Sequence, residues 1–268
     1  MIIHTTTFYI YLKRMNKSLA IIGSNGMIGS DLMQYLKSDF KKIVGINREN
    51  YKKYVGKKFD VVVNANGNSH KFWANDNVLS DFTASTMSVY QSLVNFPCET
   101  YIYISSCEVY KDHTSKKTTN ELEPIIPDNL LTYGLHKYLS ECIVRNFTKK
   151  YIIFRCPVVI GTNLRKGIIH DIVHGRKLFI SEKSIYQTIS AKELASIIYS
   201  LIEKNITGEV FNVGGKEPVS VNKIAQYFNK NIVFPKDGIT RLYNLDISKL
   251  NKIYPLKTSK EYLQDFYG

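Results

Sequence analysis

The sequence predicts an α/β protein built on a doubly wound parallel sheet. Short β-rich runs alternate along the chain with stretches whose apolar residues recur at helical spacing. Parallel neighbours need long crossover connections, and helices normally supply them. A glycine-rich bend follows the first strand directly and opens the first helix, at the carboxyl strand ends where such sheets take ligands. With 268 residues, the chain can bury roughly three quarters of its surface without a disulfide or metal staple.

The elements follow in order. Residues 18–22 form a short apolar run ending in glycine, and Ile28, Leu32 and Leu36 then recur on one helical face. Residues 42–46, 60–64, 100–105, 151–155 and 209–213 read as further strands. Helices are expected over 80–95, 131–147 and 191–203. Ser190 with Glu193, and Thr258 with Glu261, have the spacing of capping boxes at two helix starts.

Composition excludes several classes. Hydrophobic residues make up 44% and charged residues 22% of the chain, ordinary globular usage that argues against disorder. No apolar run approaches the ~20 residues of a membrane span, so no membrane partner is expected. Cys98, Cys107, Cys142 and Cys156 form no paired motif and no grouping with histidine. Hence no metal is expected, and a reducing cytoplasm is the natural compartment. The formal charge of +13 is spread along the chain with no nucleic-acid-binding signature. Nucleic acid is therefore not an expected partner, whereas an anionic small molecule such as a nucleotide diphosphate suits the charge. Residues 1–14 carry a short apolar patch without a small-residue cleavage site and read as a loosely attached extension.

The bend Gly23-Ser-Asn25-Gly26-Met27-Ile28-Gly29 has the context its mechanism requires. Gly23 permits the tight turn, Gly26 lets a pyrophosphate approach the backbone, and Gly29 lets the helix pack closely. The helix N-terminus offers free N–H groups and a positive dipole end to phosphate. At the end of the second strand stand Asn47 and Arg48 in place of an acid. A guanidinium can pair with a 2′-phosphate, so NADP(H) is expected over NAD(H); the other reading of Arg48 is an ordinary exposed arginine. Only 11 residues separate Arg48 from Asp60, too few for a strand plus a crossover of about 10–12 residues. The sheet is expected to be trimmed there, with an open adenine site.

Tyr133 and Lys137 stand four residues apart on the helix 131–147 and share one face. An ammonium there stabilises a phenolate and pulls its pKa down from the ~10 of a free phenol. Such a tyrosine can pass a proton to or from an alcohol oxygen while hydride moves at the carbon. Ser106 lies at the end of the fourth strand, and the ring of His136 should point away from both Tyr133 and Lys137.

These features in this order resemble the extended short-chain dehydrogenase/reductases of the nucleotide-sugar epimerase, dehydratase and reductase group. The likeness runs from the glycine bend through Asn64-Ala65-Asn66-Gly67, Ser105-Ser106-Cys107-Glu108-Val109-Tyr110, Tyr133, Lys137 and Arg155-Cys-Pro157 to Phe211-Asn-Val-Gly-Gly215. It implies a Rossmann-type sheet with a small α/β substrate-binding subdomain. In that organisation residues 1–17 are an extension, 18–161 the dinucleotide-binding domain, 162–190 a substrate-subdomain insertion, 191–215 the return to the main domain, and 216–268 the substrate subdomain with a C-terminal helix. The resemblance makes Tyr133 the general acid/base, with Lys137 lowering its pKa and holding the nicotinamide ribose. Ser106 would bond the reacting oxygen, Ala65, Asn66 and Gly67 would line the diphosphate, and Pro157 and Val158 would flank the nicotinamide. Cys107 and Glu108 would face the substrate; Glu108 either orients it or satisfies backbone donors. Asn163, Arg165 and Lys166 occupy a substrate-diphosphate position or form a solvated basic turn. Where dehydratases carry Asp-Glu this chain has Cys107-Glu108, and a thiol is a poor proton donor, so elimination of water is disfavoured. The expected function is NADP(H)-dependent reduction of a 4-keto nucleotide sugar, with the nucleotide sugar as partner and a second copy of the chain in a homodimer. The alternatives are 4-epimerisation with tightly bound NAD(P) and, in another class, a non-catalytic NADP-binding regulatory protein.

Overall fold

The computed structural model describes residues 14–267; most of the expected N-terminal extension lies outside them. The first strand, β1 (Met15–Ile22), starts three residues before its expected position. Met15 pairs with Phe40, and Arg14 Nε donates to the Phe40 carbonyl at 2.9 Å. The boundary expected at residue 17 therefore moves back, because 15–17 belong to the sheet.

After β1 come α1 (Met27–Tyr35), β2 (Phe40–Ile46), a single helical turn α2 (Tyr51–Tyr54) and β3 (Phe59–Asn64). A short helix not expected from the sequence, α3 (Lys71–Asp76), precedes α4 (Val78–Phe82), a π-helical turn (Thr83–Met87) and α5 (Ser88–Asn95). Then follow β4 (Cys98–Ser106), α6 (Thr132–Phe147), β5 (Tyr151–Cys156) and the short β6 (Val158–Ile160). The remainder comprises α7 (Ile168–Val173), β7 (Ile185–Tyr186), β8 (Thr188–Ser190), α8 (Ala191–Glu203) and β9 (Glu209–Asn212). Last are β10 (Val219–Ser220), α9 (Val221–Tyr227), α10 (Ser248–Ile253) and α11 (Ser259–Tyr267).

Six strands form the main sheet in the order β2-β1-β3-β4-β5-β9, with every neighbouring pair parallel. The sheet is trimmed as the short 49–59 link predicts. The chain passes from β2 to β3 through the one-turn α2, and among the described residues nothing pairs beyond β2. Lys41 and Lys42 are exposed on that edge strand, where charge discourages pairing with another chain.

The strands are apolar on both faces, as a sheet covered on both sides requires. Leu19, Ile21, Val61, Val63, Ile102, Ile104, Ile152 and Phe154 point into one core, with Leu32 of α1 and Leu194 and Ile198 of α8. Ala20, Ile22, Val62, Tyr101, Tyr103 and Ile153 point into the other, with Val89 and Leu93 of α5 and Val144 of α6. Side chains alternate because the strand period is two. Both capping boxes form at least one bond: Ser190 accepts from the Glu193 N–H at 3.0 Å, and Thr258 and Glu261 cap each other reciprocally.

The segment 162–190 and the tail after Gly215 meet at one end of the sheet. β7 pairs antiparallel with β10, and isolated bridges join Ile180 to Ile239 and Ile185 to Leu242. β6 pairs parallel with β8. Gly215 abuts the start of α11, where a Cβ would lie 2.2 Å from the Ser259 nitrogen.

Candidate active site

The sheet reverses its winding between β1 and β3, and a crevice opens at such a point outside the carboxyl strand ends. Gly23 leaves β1 with φ +80°, a left-handed conformation that glycine adopts without strain. A Cβ there would also lie 2.9 Å from Asn66 Cα, so the bend and the segment after β3 touch through bare backbone. A Cβ on Gly29 would stand 2.1 Å from the Gly23 carbonyl oxygen, which lets α1 start directly against the bend. Gly26 is the N-cap of α1 and has no side-chain cap. Gly26 N–H closes the bend on the Gly23 carbonyl at 2.9 Å, so the first-turn N–H groups that no helix pairs internally face an anion at Met27 and Ile28; Asn25 and Gly26 are exposed.

Asn64 fixes the second wall. Its Nδ2 donates to Ser92 Oγ at 3.0 Å and Tyr101 OH at 2.8 Å, and its Oδ1 accepts from the Asn66 N–H at 2.9 Å. Ala65 N–H is held by the Ile22 carbonyl at 3.0 Å. Gly67 then passes over α6, with its missing Cβ position 3.5 Å from Lys137 Nζ. The π-helical turn brings Ser85 Oγ to the Asn68 N–H at 3.4 Å, a local helix distortion of the kind common at functional sites.

Ser106, Tyr133 and Lys137 come together at the end of β4. Ser106 caps the one-turn 3-10 helix Cys107–Val109, its Oγ accepting from the Glu108 N–H at 3.3 Å. Tyr133 faces Ser106, whose hydroxyl favours the phenolate, and is only 8% exposed. Lys137 Nζ donates to the Ile104 carbonyl at 3.1 Å and lies 5.1 Å from the Tyr103 ring centroid. Burial pushes the Tyr133 phenol above its ordinary value, while Lys137 and then Lys71 pull it down without cancelling the rise. The net direction is opposite to the one expected from Lys137 alone, because desolvation disfavours phenolate more than the ammonium favours it.

Gly134, to which the sequence reading assigned nothing, joins helix and turn: a Cβ there would lie 2.1 Å from the Glu108 carbonyl oxygen. Its place inside the Tyr133–Lys137 motif was the signal that could have marked it. His136 points away from Tyr133 and Lys137, its Nδ1 2.6 Å from Asp81 Oδ2, and Asn68 Nδ2 donates to the other Asp81 oxygen at 2.7 Å. Glu141, four residues past Lys137, pairs with the buried Arg155, Nη2 to Oε2 at 2.8 Å, and accepts from Ser105 Oγ at 2.6 Å. Arg155 Nη1 reaches Tyr110 OH at 2.7 Å, and Tyr110 OH donates to Asn212 Oδ1 at 3.0 Å.

The other expected residues divide. Pro157 and Val158 directly follow β5, whose Cys156 is the register partner of Ser106. Arg48 is exposed past the end of β2. Asn47 is spent on its own turn, its Oδ1 accepting from the N–H groups of Glu49 and Asn50. Cys107 corrects an expectation: its side chain lies in the core at 2% exposure, because the 3-10 turn aims it inward, and burial pushes its thiol up. Asn163 is half-buried, and its Nδ2 donates to Ser30 Oγ at 3.0 Å, bracing α1. Arg165 is exposed. Lys166 lies near His70, whose imidazole is held down by burial and by that positive charge. Glu108 meets Lys71 and Tyr243, two residues that no local spacing could connect to it.

The bend, the Asn64–Gly67 wall and the Ser106/Tyr133/Lys137 group fit a nicotinamide dinucleotide with a proton-transfer group at its reactive end. The chain belongs to the NAD dependent epimerase/dehydratase family, whose model matches residues 19–214, and so to a family of enzymes. Among curated proteins nothing matches the sequence. Solved structures share the fold. A dTDP-4-dehydrorhamnose reductase from Clostridium acetobutylicum is 16% identical with a TM-score of 0.76, over 93% of this chain and 98% of that one. A UDP-glucuronic acid 4-epimerase from Bacillus cereus, in complex with UDP-glucuronic acid and NAD, is 20% identical with a TM-score of 0.76, again over 93% and 98%. RMD from Pseudomonas aeruginosa, complexed with NADPH, is 16% identical with a TM-score of 0.77, over 93% and 97%.

Proposed function

We propose that the chain is an NADP(H)-dependent oxidoreductase that reduces a 4-keto group on a nucleotide-activated sugar, in the cytoplasm. The observation that carries this reading is Tyr133 itself, a buried phenol facing Ser106 with Lys137 one turn along. Its raised pKa keeps it protonated at neutral pH, and a protonated phenol is a proton donor. The dinucleotide, held by the Gly23–Gly29 bend and the Asn64–Gly67 wall, supplies hydride chemistry when bound. Ser106 Oγ and Tyr133 OH hold the carbonyl oxygen. As negative charge grows on that oxygen, Tyr133 gives up its proton to it, and the alcohol forms. Lys137, anchored on the Ile104 carbonyl, stabilises the phenolate left behind until solvent restores the proton. Arg48, standing with Asn47 just past β2 where an acid would otherwise follow the strand, supports NADP(H) over NAD(H).

A second reading, epimerisation at C4, draws on the likeness to 4-epimerases. There Tyr133 would first accept and later return a proton. Mixing the protein with NADPH and a 4-keto-6-deoxy nucleotide sugar separates the two. Stoichiometric loss of the reduced-nicotinamide absorbance supports reduction, and product without net cofactor change supports epimerisation. A homodimer through α5 and α6 belongs to the same proposal. Tyr90, Val94 and Phe147 are exposed there, and Tyr90 and Phe147 meet edge to face at 6.1 Å. Sedimentation velocity of the protein and of a Val94→Glu variant tests it, a monomer in both counting against the dimer.

A further inference from the structure

Three distant parts of the chain converge beside Ser106. The Glu108 carboxylate accepts from Lys71 Nζ, at the start of α3, and from Tyr243 OH at 2.8 Å. Lys71 Nζ also donates to Tyr243 OH at 2.9 Å and sits 5.0 Å from the Tyr243 ring centroid. Tyr243 stacks on Tyr186 at 5.1 Å and meets His113 at 5.1 Å. The cluster cannot drift from the catalytic group, because Glu108 is tied to Ser106 through its N–H and to α6 through its carbonyl against Gly134. The Lys71 side chain is 43% exposed and that of Glu108 14%, so the pair has an open side.

The charges within this cluster cancel. Burial opposes both charges of the pair, yet each partner holds the other ionised, Lys71 above and Glu108 below its ordinary value. His113 is held below its ordinary value mainly by burial, and Tyr186, Tyr243 and Cys107 are pushed up by it. All four are neutral at pH 7. Among the described residues, Lys166 near His70 and Arg241, 6.0 Å from the exposed Phe72 ring, have no carboxylate partner. Free positive charge thus stands at Lys137 beside Tyr133, at Lys166 and at Arg241, while the charges of the Lys71, Glu108 and Tyr243 cluster cancel.

We propose that Lys71, Glu108 and Tyr243 determine specificity by receiving an uncharged, hydroxyl-bearing part of the sugar ring and rejecting a ring that carries a carboxylate. The inference rests on the nucleotide-sugar reading above. A hydroxyl donates to Glu108 and accepts from Lys71 with no change in net charge. A carboxylate has to be desolvated beside Glu108 while the ammonium of the cluster, Lys71, is already engaged, which is discrimination by repulsion.

The test compares UDP-glucose with UDP-glucuronic acid, and the same two sugars on dTDP, by calorimetric titration of the NADP⁺-saturated protein. Within each pair the nucleotide contribution cancels. The neutral sugar is expected to bind at least about tenfold more tightly than the uronate. Glu108→Gln, which keeps the shape of the side chain and frees Lys71, should bring that ratio within about threefold of unity or invert it. If Glu108→Gln fails to fold by circular dichroism, Tyr243→Phe, which removes one restraint on Glu108, should lower the ratio by about twofold or more. A wild-type protein that binds the uronate as tightly as the neutral sugar overturns the proposal, as does a variant with the wild-type ratio. Binding of NADP⁺ but of no nucleotide sugar overturns the nucleotide-sugar reading itself, and the specificity assignment with it.

Discussion

The dinucleotide half and the C-terminal region solve the same problem by different means. Around the Gly23–Gly29 bend, geometry is set by main chain on main chain, and the decisive side chains are the ones that are missing. At the other end of the sheet, single side chains reach across long stretches of chain. Asn212 Nδ2 donates to the carbonyls of Thr119 at 2.6 Å and Asp246 at 2.8 Å, and Gln187 bonds both Gly215 and Leu245. A cofactor shared by many reactions can be recognised by backbone, which tolerates changes in side chains. A particular substrate has to be recognised by side chains, so this region can diverge while the fold persists.

Substitutions can break that contrast, and the largest effect belongs to the group where both halves meet. Tyr133→Phe should lower kcat by about 10²–10⁴-fold and leave the dinucleotide Kd within about twofold, read by stopped-flow and fluorescence titration. The pH profile of the wild-type reduction should be flat through neutrality. The proton donor is present below the raised phenol pKa and is lost only as pH rises through it. Next comes Gly29→Ala, whose Cβ would meet the Gly23 carbonyl oxygen at 2.1 Å. It should weaken dinucleotide binding by about a hundredfold, ~2.7 kcal/mol, in an equilibrium titration.

On the side-chain half, Tyr110→Phe leaves the Glu141–Arg155 pair intact but removes the bonds to Arg155 and Asn212. It should cost about 1–3 kcal/mol of stability in urea unfolding, with cofactor affinity unchanged. The smallest effect sharpens the comparison: Arg48→Ala should reduce the preference for NADP⁺ over NAD⁺ by about tenfold, ~1.4 kcal/mol. Paired kcat/KM values give that ratio, and an unchanged one returns Arg48 to the role of an exposed arginine.

Much of the first half was legible because its signals are local. Apolar strands such as 60–64 read directly, and Ser106, Tyr133 and Lys137 assembled as their order and helical spacing implied. The edges were less clear. Lys41 and Lys42 concealed the start of β2 at Phe40, since an edge strand can carry charge where a central one cannot. Spacing cannot report which way a turn aims its side chains, which is why Cys107 was expected at the substrate and lies in the core. Nor could it join Glu108 to Tyr243, 135 residues away.

The bare flank beyond β2 has a kinetic consequence. If a dinucleotide lies along this crevice as proposed, it meets a wall where Gly67 crosses Lys137, while among the described residues no strand stands outside β2 to shelter its adenosine. A coenzyme gripped mainly at one end leaves quickly, which suits a catalyst that must discard its spent carrier after every cycle better than one that keeps the same molecule for life.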